Sequence, residues 1–201
     1  TSDPIQVRAT PNVECVVPYD GDSTDLVNIY SASMIESLGD LSPCYPATVD
    51  VRTASRLKHL IIGNKTSGYE NKSLISLTLG ANNLLESLNI ENESGLTQAL
   101  DISNLKNLKQ LYAHGSNIGG VTFADGGNIV TAELPSVSAI SMSNLSNLTN
   151  FDVKSYEHLT RLVVDNCSSI DVLSIIKSAP NLNRVRISGI DWTVDDTSIL
   201  D

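Results

Sequence analysis

The residues best placed to do chemistry are three histidines, three cysteines and one acidic loop. His59, His114 and His158 carry the side chain that ligates metals and moves protons near neutral pH. None has a second ligand at metal spacing such as HExxH. All three fall on or near strand-like stretches at outward phases, which reads as solvated surface histidines. Cys15, Cys44 and Cys167 include no CxxC pair, which argues against zinc. Cys15 and Cys44 could bridge; free, partly buried thiols are the plainer reading of so few cysteines. Asp20-Gly21-Asp22-Ser23-Thr24-Asp25 sets three carboxylates in one loop that a calcium ion could bridge. It lacks the glycine at the sixth place and the glutamate at the twelfth of a calcium loop, so turn and helix-cap duty is expected. The glycine-rich stretches at 115–120 and 125–127 match neither a dinucleotide fingerprint nor a P-loop, and there is no GxSxG elbow. The expectation is a protein that is not an enzyme and has no cofactor or metal.

What must position these residues is a chain of 201 residues, 41% hydrophobic but only 4% aromatic. A core of Leu, Ile and Val with few rings suits small repeated layers. The formal charge is −10; such a surface repels phosphate backbones, so no nucleic-acid partner is expected. No apolar run approaches the roughly 20 residues that span a bilayer, so no membrane insertion is expected.

Residues 1–50 differ from the rest. They hold eight acids against the single base Arg8, and five of the seven prolines. They read as an N-terminal capping or linking segment. Val13–Val17, between Pro11 and Pro18, reads as an edge strand. Asp25–Leu38, with Leu26, Ile29, Ile35 and Leu38 apolar, reads as a helix.

From Leu57 a phrase recurs: apolar, two variable, apolar, one variable, apolar, then Asn two places on. Leu57-Lys-His-Leu60-Ile-Ile62-Gly-Asn64 and Leu85-Glu-Ser-Leu88-Asn-Ile90-Glu-Asn92 are clear copies, as is Leu159-Thr-Arg-Leu162-Val-Val164-Asp-Asn166. Leu77, Leu88, Leu100 and Leu111 stand 11, 12 and 11 residues apart; Ile140, Phe151 and Leu162 stand 11 and 11 apart. The apolar-x-apolar pair has the period of a strand with one buried face. Eleven residues hold a short strand and a turn, not a crossover helix. Two units make one flattened coil with a strand on each face. Between Leu162 and Val185 a helical pattern intervenes, with Val172, Leu173, Ile175 and Ile176 as its apolar face, Ser168 or Ser169 as its cap and Pro180 as its stop. The longer gap holding Gly68 and Tyr69 reads as a loop.

The asparagines Asn64, Asn92, Asn104, Asn144 and Asn166 all stand two places after the second apolar of the pair. Asn tolerates the left-handed backbone of tight turns and its amide satisfies stranded backbone groups, so a stacked structural ladder is expected. Asn64, Asn92, Asn144 and Asn166 also satisfy the N-glycosylation pattern, which is the competing reading.

These phrases, together with Leu105-Lys-Asn-Leu108-Lys-Gln-Leu111-Tyr-Ala-His-Gly-Ser-Asn117, resemble the leucine-rich-repeat family, in the short half-repeat form of bacterial surface proteins and phage or prophage structural proteins. The resemblance covers about residues 57–190 and departs at 116–136, where Gly119, Gly120, Gly126 and Gly127 replace leucines. It implies protein or glycan binding through an exposed sheet.

The expected architecture is therefore mainly β with minor α: a solenoid of short parallel strands over 51–191, a small α/β cap before it and a helix near its C-terminal end. Residues 192–201, with Trp192 and an Asp-Asp-Thr-Ser cap, read as the start of a further element, and the chain begins at Thr1, so the polypeptide is expected to continue. Tyr112, His114, Lys154, Tyr156 and Arg161 are the candidate exposed contacts. The expected function is a non-catalytic interaction or structural module of a larger protein: a virion-associated component contacting other subunits or, alternatively, a cell-surface module binding host protein or glycan.

Overall fold

A strand that alternates aliphatic and polar residues buries one face and leaves the other to solvent. Ile140 and Met142 are buried between Ala139, Ser141 and Ser143, and Leu162 and Val164 between Arg161, Val163 and Asp165. A computed structural model of the chain describes residues 84–189 continuously, residues 48–52, 57–63, 72 and 74–81, and four short strands before them. The strands are β1 (Ile5–Gln6), β2 (Cys15–Val16), β3 (Leu26–Asn28), β4 (Ser37–Leu38), β5 (Thr48–Asp50), β6 (His59–Ile61), β7 (Ser76–Thr78), β8 (Ser87–Asn89), β9 (Leu100–Asp101), β10 (Gln110–Tyr112), β11 (Gly120–Thr122), β12 (Thr131–Leu134), β13 (Ala139–Ser143), β14 (Asn150–Val153), β15 (Arg161–Asp165) and β16 (Arg184–Ser188). One helix, α1 (Val172–Ser178), precedes the last strand.

Up to β13, each strand except β7 pairs in parallel with the next but one, never with its immediate successor. The even strands from β2 to β14 form one seven-stranded sheet; the odd strands form a four-stranded sheet from β1 to β7 and, from β9 to β15 with β16 added, a five-stranded sheet. The chain is thus a parallel β-solenoid with a sheet on each side. Register places Leu88, Leu111, Ala132 and Phe151 side by side, advancing 23, 21 and 19 residues. On the other side Val121, Ile140, Leu162 and Val185 advance 19, 22 and 23. The inward aliphatics of both sides merge into one continuous core.

The glycine-rich stretch does not interrupt the coils. β11 and β12 keep the register through it. The odd ladder lapses instead between β7 and β9. There the Gln98 amide donates to the Leu77 carbonyl (3.0 Å), and side chain replaces ladder.

α1 occupies the place of an even strand in the last coil, and β16 pairs beside β15. Val172 and Ile175 are its buried residues. Its N-cap is Asp171, whose carboxylate accepts from the Ser174 N–H at 3.0 Å, and not Ser168 or Ser169. Those serines belong to the preceding turn, where the Ile170 N–H bonds the Cys167 carbonyl. The helix ends at Ser178, because Pro180 disfavours helical backbone in the residue before it.

The helix expected over Asp25–Leu38 is corrected: Leu26–Asn28 and Ser37–Leu38 are strands, paired with β1, β5, β2 and β6. Register aligns Val27 with Val49 and Leu38 with Leu60, and Val27 and Leu38 stand eleven residues apart, the spacing of the half-coils. β2 lies within the expected Val13–Val17 strand and ends its sheet. The Asp20–Asp25 loop, the Gly68–Tyr69 loop, Asn64, Cys44 and residues 190–201 lie outside the described residues.

Cys167 is fully buried, and burial pushes its thiol up from the ordinary value. Since the thiolate is the reactive form, Cys167 is expected to resist iodoacetamide at pH 8 in the native protein and to react once urea unfolds the coil. Peptide-level mass spectrometry reads this directly.

Candidate functional site

On the seven-stranded sheet the outward positions form rows across the strands. Register sets Ile61, Asn89, Tyr112, Glu133 and Asp152 in one row, with neighbours about 4.8 Å apart. His114 stands just beyond β10, over the same part of the sheet. Its Nε2 lies 3.2 Å from Asp152 Oδ2, an ion-pair distance without hydrogen-bond alignment, and its Nδ1 lies 3.9 Å from Glu133 Oε2. Glu133 is largely covered and Asp152 open. Beside them the Glu91 carboxylate, buried, accepts from the Asn89 amide at 3.0 Å, and the Glu91 N–H donates to Asn89 Oδ1 at 2.9 Å. Composition gives no sign of this buried acid; its position two places past Asn89, inside the turn, is the only signal. The patch is therefore anionic and aromatic, with one imidazole at its centre. Carboxylates at strand spacing can accept from cationic or amide donors. Among the described residues no group of three or more His, Cys, Asp or Glu is arranged to hold a metal ion.

The five expected contacts do not share one face. Tyr112 and His114 belong to this patch, and Lys154, exposed, follows β14 on the same side. Tyr156 turns toward the core and packs against it, as Phe151 and Ile170 do. Burial, with the Asp152 charge, raises its phenol, and it lines a cleft of about 250 Å³ with Phe151, Ser174 and Ile175. Arg161 is on β15, in the opposite sheet. His59 and His158 are exposed.

The asparagines mark the coil corners. Asn92, Asn144 and Asn166 have φ of 60°, 54° and 50°, the left-handed region that Asn tolerates. The Asn166 Nδ2 donates to Asn144 Oδ1 (2.8 Å), and the Asn144 Nδ2 to Asp125 Oδ1 (2.7 Å). This is a ladder along one corner, and Gly189 (φ 67°) packs beside Asn166 in the next coil. Asn104 differs: its φ is not positive, and the turn is closed by the Ser103 N–H donating to Asp101 Oδ1 at 2.9 Å. Replacing Asn144 with alanine removes both ladder bonds and also the side-chain amide that lets this residue sit in the left-handed region. It should cost about 1–3 kcal/mol. Asn144→Gly relieves the backbone part only and should fall between wild type and alanine in urea midpoint.

The Asn144 amide, then Ser143, holds the Asp125 carboxyl below its ordinary value; Ser103 does the same for Asp101, and the Arg52 guanidinium for Asp50. A depressed folded pKa adds stability that is present above the unfolded value of about 3.9 and is lost as pH falls through the folded one. Melting temperature should therefore fall as pH drops below about 4, less so in Asp125→Asn.

No helix among the described residues is long and apolar enough to cross a membrane. No protein-family model, curated protein or solved structure matches the chain.

Proposed function

We propose that the chain is a non-catalytic interaction or structural module of a larger protein, built on leucine-rich half-repeats, and that the outward face of its seven-stranded sheet is the docking surface. The observation that carries this is the row Tyr112–Glu133–Asp152 with His114 against Asp152. Side chains on strands pinned by a shared aliphatic core are presented rigidly, so little ordering cost attends binding. Long solenoid faces suit extended ligands. The carboxylates favour a partner segment carrying lysine or arginine, and the overall charge of −10 disfavours nucleic acid.

The test is binding of the immobilised chain to synthetic basic and acidic decapeptides. The basic set should bind, weaken as salt rises, and lose at least about tenfold in Glu133→Gln/Asp152→Asn, the loss of one charge-assisted contact. Equal binding of both sets would contradict the reading.

The setting we favour is a virion-associated assembly contacting other subunits, supported by the phrasing of the repeats. Electron microscopy of a particle carrying the chain in stoichiometric copies supports it; a soluble, monomeric protein in the cell counts against it. The second reading, a cell-surface module binding host protein or glycan, is favoured by the half-exposed Tyr112 beside His114, a pairing suited to polar, ring-stacking ligands.

A further inference from the structure

At the C-terminal end of the five-stranded sheet, β16 has β15 on one side and, among the described residues, no strand on the other. The Arg184 N–H donates to the Thr160 carbonyl, and the Ser188 carbonyl accepts from the Asn166 N–H. Backbone groups alternate sides along a parallel strand. Arg184, Arg186 and Ser188 therefore bond toward β15, while Val185 and Ile187 direct their N–H and C=O groups to the open edge. Val185, at an inward position, is nonetheless 46% exposed, and among the described residues no further coil covers it.

The outward side of this edge is cationic. Arg161 and Arg184 are register partners, and Arg186 faces Val163 two places along. They line one open cleft of about 590 Å³. None of the three guanidiniums has an ion pair or side-chain hydrogen bond among the described residues. In a chain of net charge −10, three arginines within one or two strand spacings, with Asp165 at the far end of β15 bonded to Ser188, are a local reversal of field.

We infer that the β16 edge takes an extended segment of another polypeptide as an added strand, in acidic–aliphatic alternation. Its backbone completes the ladder on Val185 and Ile187, its aliphatic residues cover Val185, and its carboxylates meet Arg184 and Arg186. Strand addition gives affinity through main-chain bonds and specificity through alternate side chains, and an open edge is a ready template for it. This site is separate from the seven-stranded face, so either can fail without the other.

Amide exchange on the full 201-residue chain, with and without a capped Glu-Val-Glu-Val-Glu peptide, tests the inference. The Val185 and Ile187 amides should exchange freely in the unliganded chain and at least about tenfold more slowly with the peptide. Arg184→Gln/Arg186→Gln should weaken the peptide at least about tenfold with an unchanged circular dichroism spectrum and melting temperature. Three results would overturn it: protection of both amides before peptide is added, as when residues 190–201 themselves cover the edge; equal binding of Lys-Val-Lys-Val-Lys; or undiminished binding to the double variant.

Discussion

Leu111→Ala should lower the unfolding free energy by about 2–5 kcal/mol, the range for truncating a fully buried leucine. Leu111 has no exposed surface and sits in register between Leu88 and Ala132. Alanine already occupies the next coil at this place, so two small residues in succession would leave a void that Leu88 alone cannot fill. Domains of this size hold only about 5–15 kcal/mol in total. Coils contact only their neighbours, so a weakened middle coil uncouples the two ends. Urea unfolding followed by circular dichroism should show a lower midpoint and a broader or two-step transition. A loss below about 1 kcal/mol would mean that Leu111 does not sit in a packed seam.

Gly95→Ala should be the second costly change, for a reason no contact list of side chains reveals. A β-carbon at Gly95 would lie 2.2 Å from the Lys72 carbonyl oxygen and 2.7 Å from that of Leu74. Both are backbone, so neither can swing aside as a flexible side chain would. Gly95 stands by the gap between β7 and β9, where the coils touch without a strand ladder and Gln98 supplies the cross-bond. Forcing these coils apart should cost about 1–3 kcal/mol or more and should also loosen the Gln98–Leu77 bond. Gly119→Ala is the control: its nearest neighbour, the Thr97 carbonyl, is 3.5 Å away, an ordinary contact, and the change should stay within about 0.5 kcal/mol. Equal urea midpoints for the two variants would contradict the close approach at Gly95.

The coil was legible because its signal is periodic. Pairs such as Leu88/Ile90 and Ile140/Met142 recur about every eleven residues, and only a strand-turn unit fits that length. The strand–helix–strand final coil was legible from Val172, Ile175 and Pro180. Which face a residue occupies was harder, because face follows from the parity of the half-coil. Tyr112 falls in an even half-coil and Arg161 in an odd one, so two exposed strand residues that look alike in sequence stand on opposite sheets. The glycines at 116–136 looked like a break because leucines were missing. In the fold Gly120 is where the backbone passes close to Ala139, whose carbonyl oxygen would lie 3.0 Å from an added β-carbon. The buried Glu91 and the open β16 edge were invisible, since neither burial of an acid inside a turn nor the absence of a neighbouring strand leaves a periodic trace.

The pairing rule on which everything rests can be trapped chemically. In a background with Cys15→Ser, Cys44→Ser and Cys167→Ala, the pair Gln110→Cys/Thr131→Cys joins register partners on adjacent strands, whose spacing of about 4.8 Å falls within disulfide reach. Gln110→Cys/Thr122→Cys joins residues of consecutive strands, which lie on opposite sheets but would face each other in a hairpin. Under mild oxidation the solenoid predicts rapid bridging of 110 with 131 and none of 110 with 122; the reverse pattern would contradict it.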